Sequence, residues 1–211
     1  MNASLAIWLR CALLIVLLCC GSPARAAGTI LIFGDSLSAG YGLPEGTGWA
    51  SLLEKRLAAD QFDYRVVNAS ISGETTQGGN QRIAAALQEF SPTVILVALG
   101  ANDGLRGSPI DTIRRNLIAI VDASRRSGAR VILVGMRIPP NYGPVYTRRF
   151  QGVFSEVARQ QNVSLVPFML AGFADKREFF QSDGIHPAEN AQDKILKNIY
   201  KNLRPLLRAS Q

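Results

Sequence analysis

The chain has 211 residues, enough for one domain with a sizeable core, and 47 % of them are apolar, which excludes a disordered polypeptide. Its formal charge is +7, but the basic residues are scattered over helical stretches with no stripe of bases and aromatics, which argues against a nucleic-acid groove. All three cysteines lie before residue 21 and there is a single histidine. A chain cut after residue 26 therefore has no disulfide, no thiol nucleophile and no histidine/cysteine zinc site, and no metal is expected.

The N-terminus reads as a separate object. Arg10 precedes the apolar run Cys11–Cys20, followed by Gly21-Ser22-Pro23 and the small-x-small triplet Ala24-Arg25-Ala26. That is the layout of a secretory signal peptide, so residues 1–26 are expected to be removed and 27–211 to form one domain, exported to the periplasm or secreted. The run is about half the roughly 20 apolar residues of a spanning helix, so no stable membrane anchor is expected after cleavage. A lipoprotein cleavage before Cys20 fits poorly with Cys19 beside it.

Short β-branched runs then alternate with helical stripes. Thr29–Phe33 reads as a strand; Trp49, Leu52, Leu53 and Leu57 form a helical stripe; Tyr64–Val67 is a second strand; Ile83, Leu87 and Phe90 mark a second helix. Thr93–Ala98 is an unbroken apolar run, as expected of a strand covered on both faces. Ile113, Leu117, Ile120 and Val121 give the next helix, Arg130–Val134 the fourth strand, Phe150, Val153, Phe154 and Val157 another helix, and Ser164–Val166 a short fifth strand. Ile195, Ile199, Leu203 and Leu207, spaced by four, predict the closing helix. Such alternation implies one α/β domain with a parallel sheet and helices on both faces, with its site at the carboxyl ends of the strands.

That rule gathers five polar loops on one edge. After strand one comes Gly34-Asp35-Ser36, after strand two Asn68–Glu74, after strand three Gly100-Ala101-Asn102-Asp103, after strand four Gly135–Pro140, and beyond strand five Asp183-Gly184-Ile185-His186. A serine hydroxyl attacks only when a base takes its proton. His186 is the sole imidazole, and Asp183, three residues earlier, can hold its Nδ1 and leave Nε2 facing a hydroxyl. Ser36, at the end of a buried strand, is the best-placed candidate. Acyl transfer also needs donors for an oxyanion, and the Ser36 amide, the Gly73 amide and the Asn102 side chain are available. Asp35 and Asp103 read as braces for their loops. No G-x-S-x-G surrounds any serine, and neither a dinucleotide fingerprint nor a phosphate loop is completed.

These residues resemble the GDSL, or SGNH, hydrolase family, whose four blocks stand here in order: Gly34-Asp35-Ser36-Leu37-Ser38, then Gly73, then Gly100-x-Asn102-Asp103, then Asp183-x-x-His186. Gly34–Tyr41, Asn68–Gly73, Asn102–Gly107 and Pro140–Gly143 look closer still to the TesA-type exported thioesterase I/lysophospholipase/arylesterase group. The resemblance implies a three-layer α/β/α fold with a five-stranded parallel sheet in the flavodoxin-like order 2-1-3-4-5. It implies Ser36 as nucleophile, His186 as base, Asp183 as its orienter and an oxyanion hole of Ser36, Gly73 and Asn102. Ala101 stands where close relatives often carry glycine.

The expected activity is hydrolysis of esters and thioesters (aryl esters, fatty acyl esters, lysophospholipids) through an acyl-enzyme, by a monomer with no cofactor, no nucleic-acid partner and a small-molecule ester or thioester as its ligand. Leu105, Ile138, Tyr142, Val145 and Tyr146 are the candidates for an acyl channel, with Gly104 and Gly107 letting the first of its loops move. Two alternatives stand beside this reading: a carbohydrate acetylesterase on the same scaffold, and a non-catalytic lipid- or glycan-binding protein.

Overall fold

The computed structural model describes residues 28–207, so the expected signal segment lies outside the described residues. Strand β1 (Gly28–Gly34) leads through a single helical turn, α1 (Ser36–Ala39), and helix α2 (Trp49–Ala59) to β2 (Tyr64–Asn68). Helix α3 (Thr76–Phe90), β3 (Val94–Ala98), the short α4 (Ala101–Leu105), α5 (Ile110–Arg126), β4 (Arg130–Val134), α6 (Pro144–Gln161), β5 (Ser164–Val166) and α7 (Gln192–Leu203) follow. The sheet is five-stranded, parallel throughout, in the order β2-β1-β3-β4-β5. The order and the three layers are those the resemblance implies.

Hydrophobic pattern and layering agree residue by residue. Ile30–Phe33 and Val94–Val97 are wholly buried, because helices cover both faces of the two central strands. Helices α3, α5 and α6 pack side by side on one face, and α2 packs with α7 on the other. The α5 stripe Ile113, Leu117, Ile120 and Val121 is fully buried. In the closing helix Ile195, Ile199 and Leu203 are buried as their spacing predicts, but Leu207 falls outside it. The helix gives way after Leu203 to a 3₁₀ turn over Arg204–Leu206, since Pro205 lacks the N–H that another α-helical turn requires.

The chain leaves β1 for β2 on one side and returns to β3 on the other. The crevice between β1 and β3 is thus the switch point where such sheets carry their ligands. Gly34 pairs with Ala98 across it, so the loops bearing Ser36 and Asn102 start side by side. The neighbouring β2 ends level with Ile32 at Asn68, which brings the Gly73 loop alongside.

Candidate active site

Ser36 opens α1, with Asp35 as the N-cap whose Oδ1 accepts the Leu37 N–H at 3.0 Å. Its own N–H lies in the first turn, where no intrahelical acceptor exists, and points outward. The turn is fastened from behind by Trp49, 1 % exposed, whose indole N–H donates to the Leu37 carbonyl at 3.1 Å. The Asn68 side-chain amide donates to the Ser38 carbonyl at 2.8 Å. Ser36 is therefore held by a rigid strand end rather than by a mobile loop.

Asp183-Gly184-Ile185-His186 forms a turn built by the aspartate itself. One carboxylate oxygen accepts the backbone N–H of Ile185 at 2.8 Å and of His186 at 3.0 Å; the other faces His186 Nδ1 at 2.6 Å. Gly184 takes φ +71°, which a β-carbon would strain. Partial burial pushes the Asp183 carboxyl up, but the His186 ring and the two backbone N–H groups more than offset this and bring it down to about 2. A carboxylate so placed accepts a hydrogen bond from Nδ1–H and leaves the Nε2 lone pair free. Nε2 lies 2.9 Å from Ser36 Oγ, joining residues 150 positions apart.

Three side chains anchor this turn to the body. Arg177 donates to the carbonyls of Phe180, Gln181 and Ser182, and Gln181 Nε2 donates to the Tyr41 and Pro187 carbonyls. Buried Gln192 accepts the Trp49 N–H at 3.1 Å and donates to the carbonyls of Pro187 and Ala188. Helix α2, the Ser36 turn and the His186 turn thus share one set of bonds. The Tyr41 ring lies over the imidazole, centroids 4.5 Å apart.

Of the candidate oxyanion donors, Ser36 and Asn102 border one cavity, and Gly73 lies on the neighbouring loop after β2. Asn102 Nδ2 donates to the Glu74 carbonyl at 2.9 Å and faces Asp35 Oδ2 at 3.4 Å, so its orientation is fixed from two sides. Gly73 adopts φ +79°, and its carbonyl accepts from Arg106 at 3.2 Å. Glu74 pairs with Arg82, which also donates to the Ala69 carbonyl and lies over the Phe33 ring. Asp103 accepts from the N–H and hydroxyl of buried Thr76 at 2.8 and 2.6 Å, bracing the start of α3. Asp35 is buried at the same place; burial, opposed by its bond from Leu37 and aided by the charges of Asp103 and Glu74, pushes its carboxyl up to about 7.

A cavity of about 540 Å³ opens beside Ser36, Asn102 and His186. Leu105 and Ile138 line it; Tyr142, Val145 and Tyr146 are not among its lining residues. The two phenols turn inward instead, donating to the carbonyls of Leu105 at 2.9 Å and Ser108 at 2.7 Å, and so clamp the loop after α4. Met136, Phe168, Leu170 and Phe180, absent from the sequence-based candidates, add to its apolar wall. The available signal was the run Val166-Pro-Phe-Met-Leu170, too apolar for a plain surface connection. Gly104 is no hinge: a β-carbon there would meet Phe150 at 2.6 Å and Ile138 at 2.7 Å, so glycine serves close packing. Gly107, at φ +67° with open space around it, keeps the turn role. Among the described residues no cluster of metal-ligating side chains occurs.

Known proteins are similar to this chain over most of its length. The chain is 48 % identical over 182 residues to esterase TesA of Pseudomonas aeruginosa, covering 86 % of this chain and 90 % of that one. It is 40 % identical over 184 residues to thioesterase 1/protease 1/lysophospholipase L1 of Escherichia coli strain K12, covering 87 % of each. Among solved structures, a psychrotrophic esterase EstA from Pseudoalteromonas, inhibited by monoethylphosphonate, superposes with a TM-score of 0.80 at 42 % identity, over 84 % of this chain and 97 % of that one. Residues 32–194 match a family of their own, running from within β1 into α7 and so taking in every block described above. The chain belongs to the GDSL-like lipase/acylhydrolase family.

Proposed function

We propose that the protein is an exported serine esterase that hydrolyses carboxylic esters and thioesters through an acyl-enzyme. The 2.9 Å approach of His186 Nε2 to Ser36 Oγ is the observation that carries the reading. Ser36 Oγ attacks the acyl carbon while its proton passes to Nε2, and Asp183 stabilises the imidazolium. The carbonyl oxygen, now negative, takes hydrogen bonds from the Ser36 and Gly73 N–H groups and from the Asn102 Nδ2–H that it draws away from its long 3.4 Å contact with Asp35 Oδ2. Collapse expels the alcohol or thiol, which leaves with the proton from Nε2. Water then attacks the acyl-Ser36 ester, again losing its proton to Nε2, and the acid departs as Oγ is reprotonated. Each step uses these side chains and water.

The apolar wall of the cavity supports an acyl or aryl group larger than acetyl, which sets this reading above a carbohydrate acetylesterase. Cleavage after Ala26 would send the protein out of the cytosol, where it meets fatty esters, aryl esters and lysophospholipids rather than acyl-CoA. The relatives named esterase and lysophospholipase favour the same classes. Covalent labelling by a fluorophosphonate, read by peptide mass spectrometry, should modify Ser36 and no other serine, and Ser36→Ala should abolish turnover with the fold unchanged. Labelling elsewhere, or near-normal turnover in that variant, refutes the mechanism.

A further inference from the structure

Among the described residues four large apolar side chains are left half or more exposed: Tyr41, Ile71, Val145 and Ile185, at 50 to 63 %. Isolated exposed apolar residues are ordinary on a protein surface, and the solvent faces of five long helices offered many places for them. Three of the four lie outside those helices, and Val145 sits in the first turn of α6. Each stands in the segment that follows a different strand, at the carboxyl edge of the sheet: Tyr41 after β1, Ile71 after β2, Val145 after β4 and Ile185 after β5. Tyr41 stacks on His186. Ile71 donates its N–H to the Gly34 carbonyl, beside the Ser36 turn. Val145 precedes Tyr146 in the first turn of α6, and the Tyr146 phenol donates to the Ser108 carbonyl on the loop after α4. Ile185 lines the cavity. Of the four, Ile185 carries the exposed apolar surface into the pocket itself.

We propose that this rim is a lipid-docking surface: the four side chains enter the headgroup region of a lipid aggregate and set the pocket mouth against the layer that holds the ester. A lipid layer accepts separated apolar side chains without a matching shape, and tyrosine is a favoured residue at such an interface. A second copy of this chain fits less well. The four exposed parts amount to roughly 400 Å² on the scale of aromatic side-chain areas, half the ~800 Å² per partner of a stable protein interface. The proposal rests on reading the site as an acyl hydrolase and narrows its substrate to esters drawn from an assembled lipid phase.

The test uses the chain from Ala27, which holds the whole described fold, carrying Ser36→Ala so that no hydrolysis disturbs the lipid. It should co-float with vesicles of phosphatidylcholine, alone or mixed with phosphatidylglycerol. The pair Ile71→Ser and Val145→Ser, neither lining the cavity, should lower the bound fraction about tenfold, the scale of removing one partly buried aliphatic side chain from a lipid interface. With Ser36 restored, the same pair should slow hydrolysis of micellar lysophospholipid while leaving a dissolved short aryl ester unaffected. Absence of co-flotation, equal binding by the variant, or loss of aryl-ester turnover in step overturns the proposal. So do binding confined to phosphatidylglycerol and abolished by salt, and a dimer that the variant dissociates. Failure of fluorophosphonate labelling with vesicle binding intact would remove the hydrolase reading alone.

Discussion

The two oxygens of Asp183 do different work, and two substitutions separate them. Oδ1 holds the turn through the Ile185 and His186 N–H groups, and Oδ2 fixes the imidazole through Nδ1 at 2.6 Å. In Asp183→Asn the amide oxygen can stay on the two backbone donors, so the turn survives. The amide nitrogen then faces Nδ1, forces it to accept, and moves the ring proton to Nε2, where it can no longer take the Ser36 proton. The wrong tautomer costs about 10⁴ in kcat in a serine triad, with KM little changed. Asp183→Ala removes the turn bonds as well. Two charge-assisted hydrogen bonds at an exposed site are worth about 2 kcal/mol together, after allowing for solvent screening, and a chain of this size loses about 2–4 °C in Tm per kcal/mol. The expectation is a Tm near the parent's for Asn, a fall of about 4–8 °C for Ala, and a collapse of kcat in both. Steady-state hydrolysis of an aryl ester and circular-dichroism melting measure both quantities. An Asn variant within tenfold of the parent in kcat, or equal melting losses for Asn and Ala, refutes this division of labour.

Asp35 supplies a pH test. Its folded carboxyl titrates near 7 against an ordinary 3.8, so the stability this group confers is full below pH 4 and is lost as pH rises to 7. The unfolding free energy of the parent relative to Asp35→Asn should decline across that window by up to about 4 kcal/mol. Urea titrations that give a pH-independent difference exclude it. For Asp183 the sign is opposite: depressed to about 2, it confers stability above pH 4 that is lost as pH falls toward 2. Gly104→Ala should destabilise by about 1–3 kcal/mol through its clash with Phe150 and Ile138, and unchanged urea midpoints would show that the packing gives way. Leu170→Trp should fill part of the cavity and lower kcat/KM for long acyl esters about tenfold against acetyl esters; a parallel fall for both would place Leu170 outside the acyl path.

Chemistry that must be present was the easiest part to read from the chain. A lone imidazole with an aspartate three residues ahead leaves few arrangements, and the strand rule put Ser36 on its edge; the structure brings the three together. The layers were legible because Val94–Ala98 and Ile30–Phe33 are apolar without alternation. The cavity wall was not legible: Met136, Phe168, Leu170 and Phe180 converge from loops whose course no periodicity encodes. Tyr142 and Tyr146 misdirected the search because an aromatic ring in a loop suggests a ligand, while their phenols satisfy backbone carbonyls. Leu207 kept the spacing of α7 but lay beyond a proline, and a missing donor outranks an apolar stripe.

The bonds of Gln192 make activity conditional on the order of synthesis. Serine emerges from the ribosome early, but its imidazole follows a three-residue edge strand, and the bonds that tie its turn to Trp49 through Gln192 form only when α7 docks. A fragment ending between residues 187 and 191 carries the whole sheet, the serine and the imidazole, but not the Gln192 bonds that join them to α2. Recovered turnover after denaturation thus reports docking of the last helix rather than mere collapse.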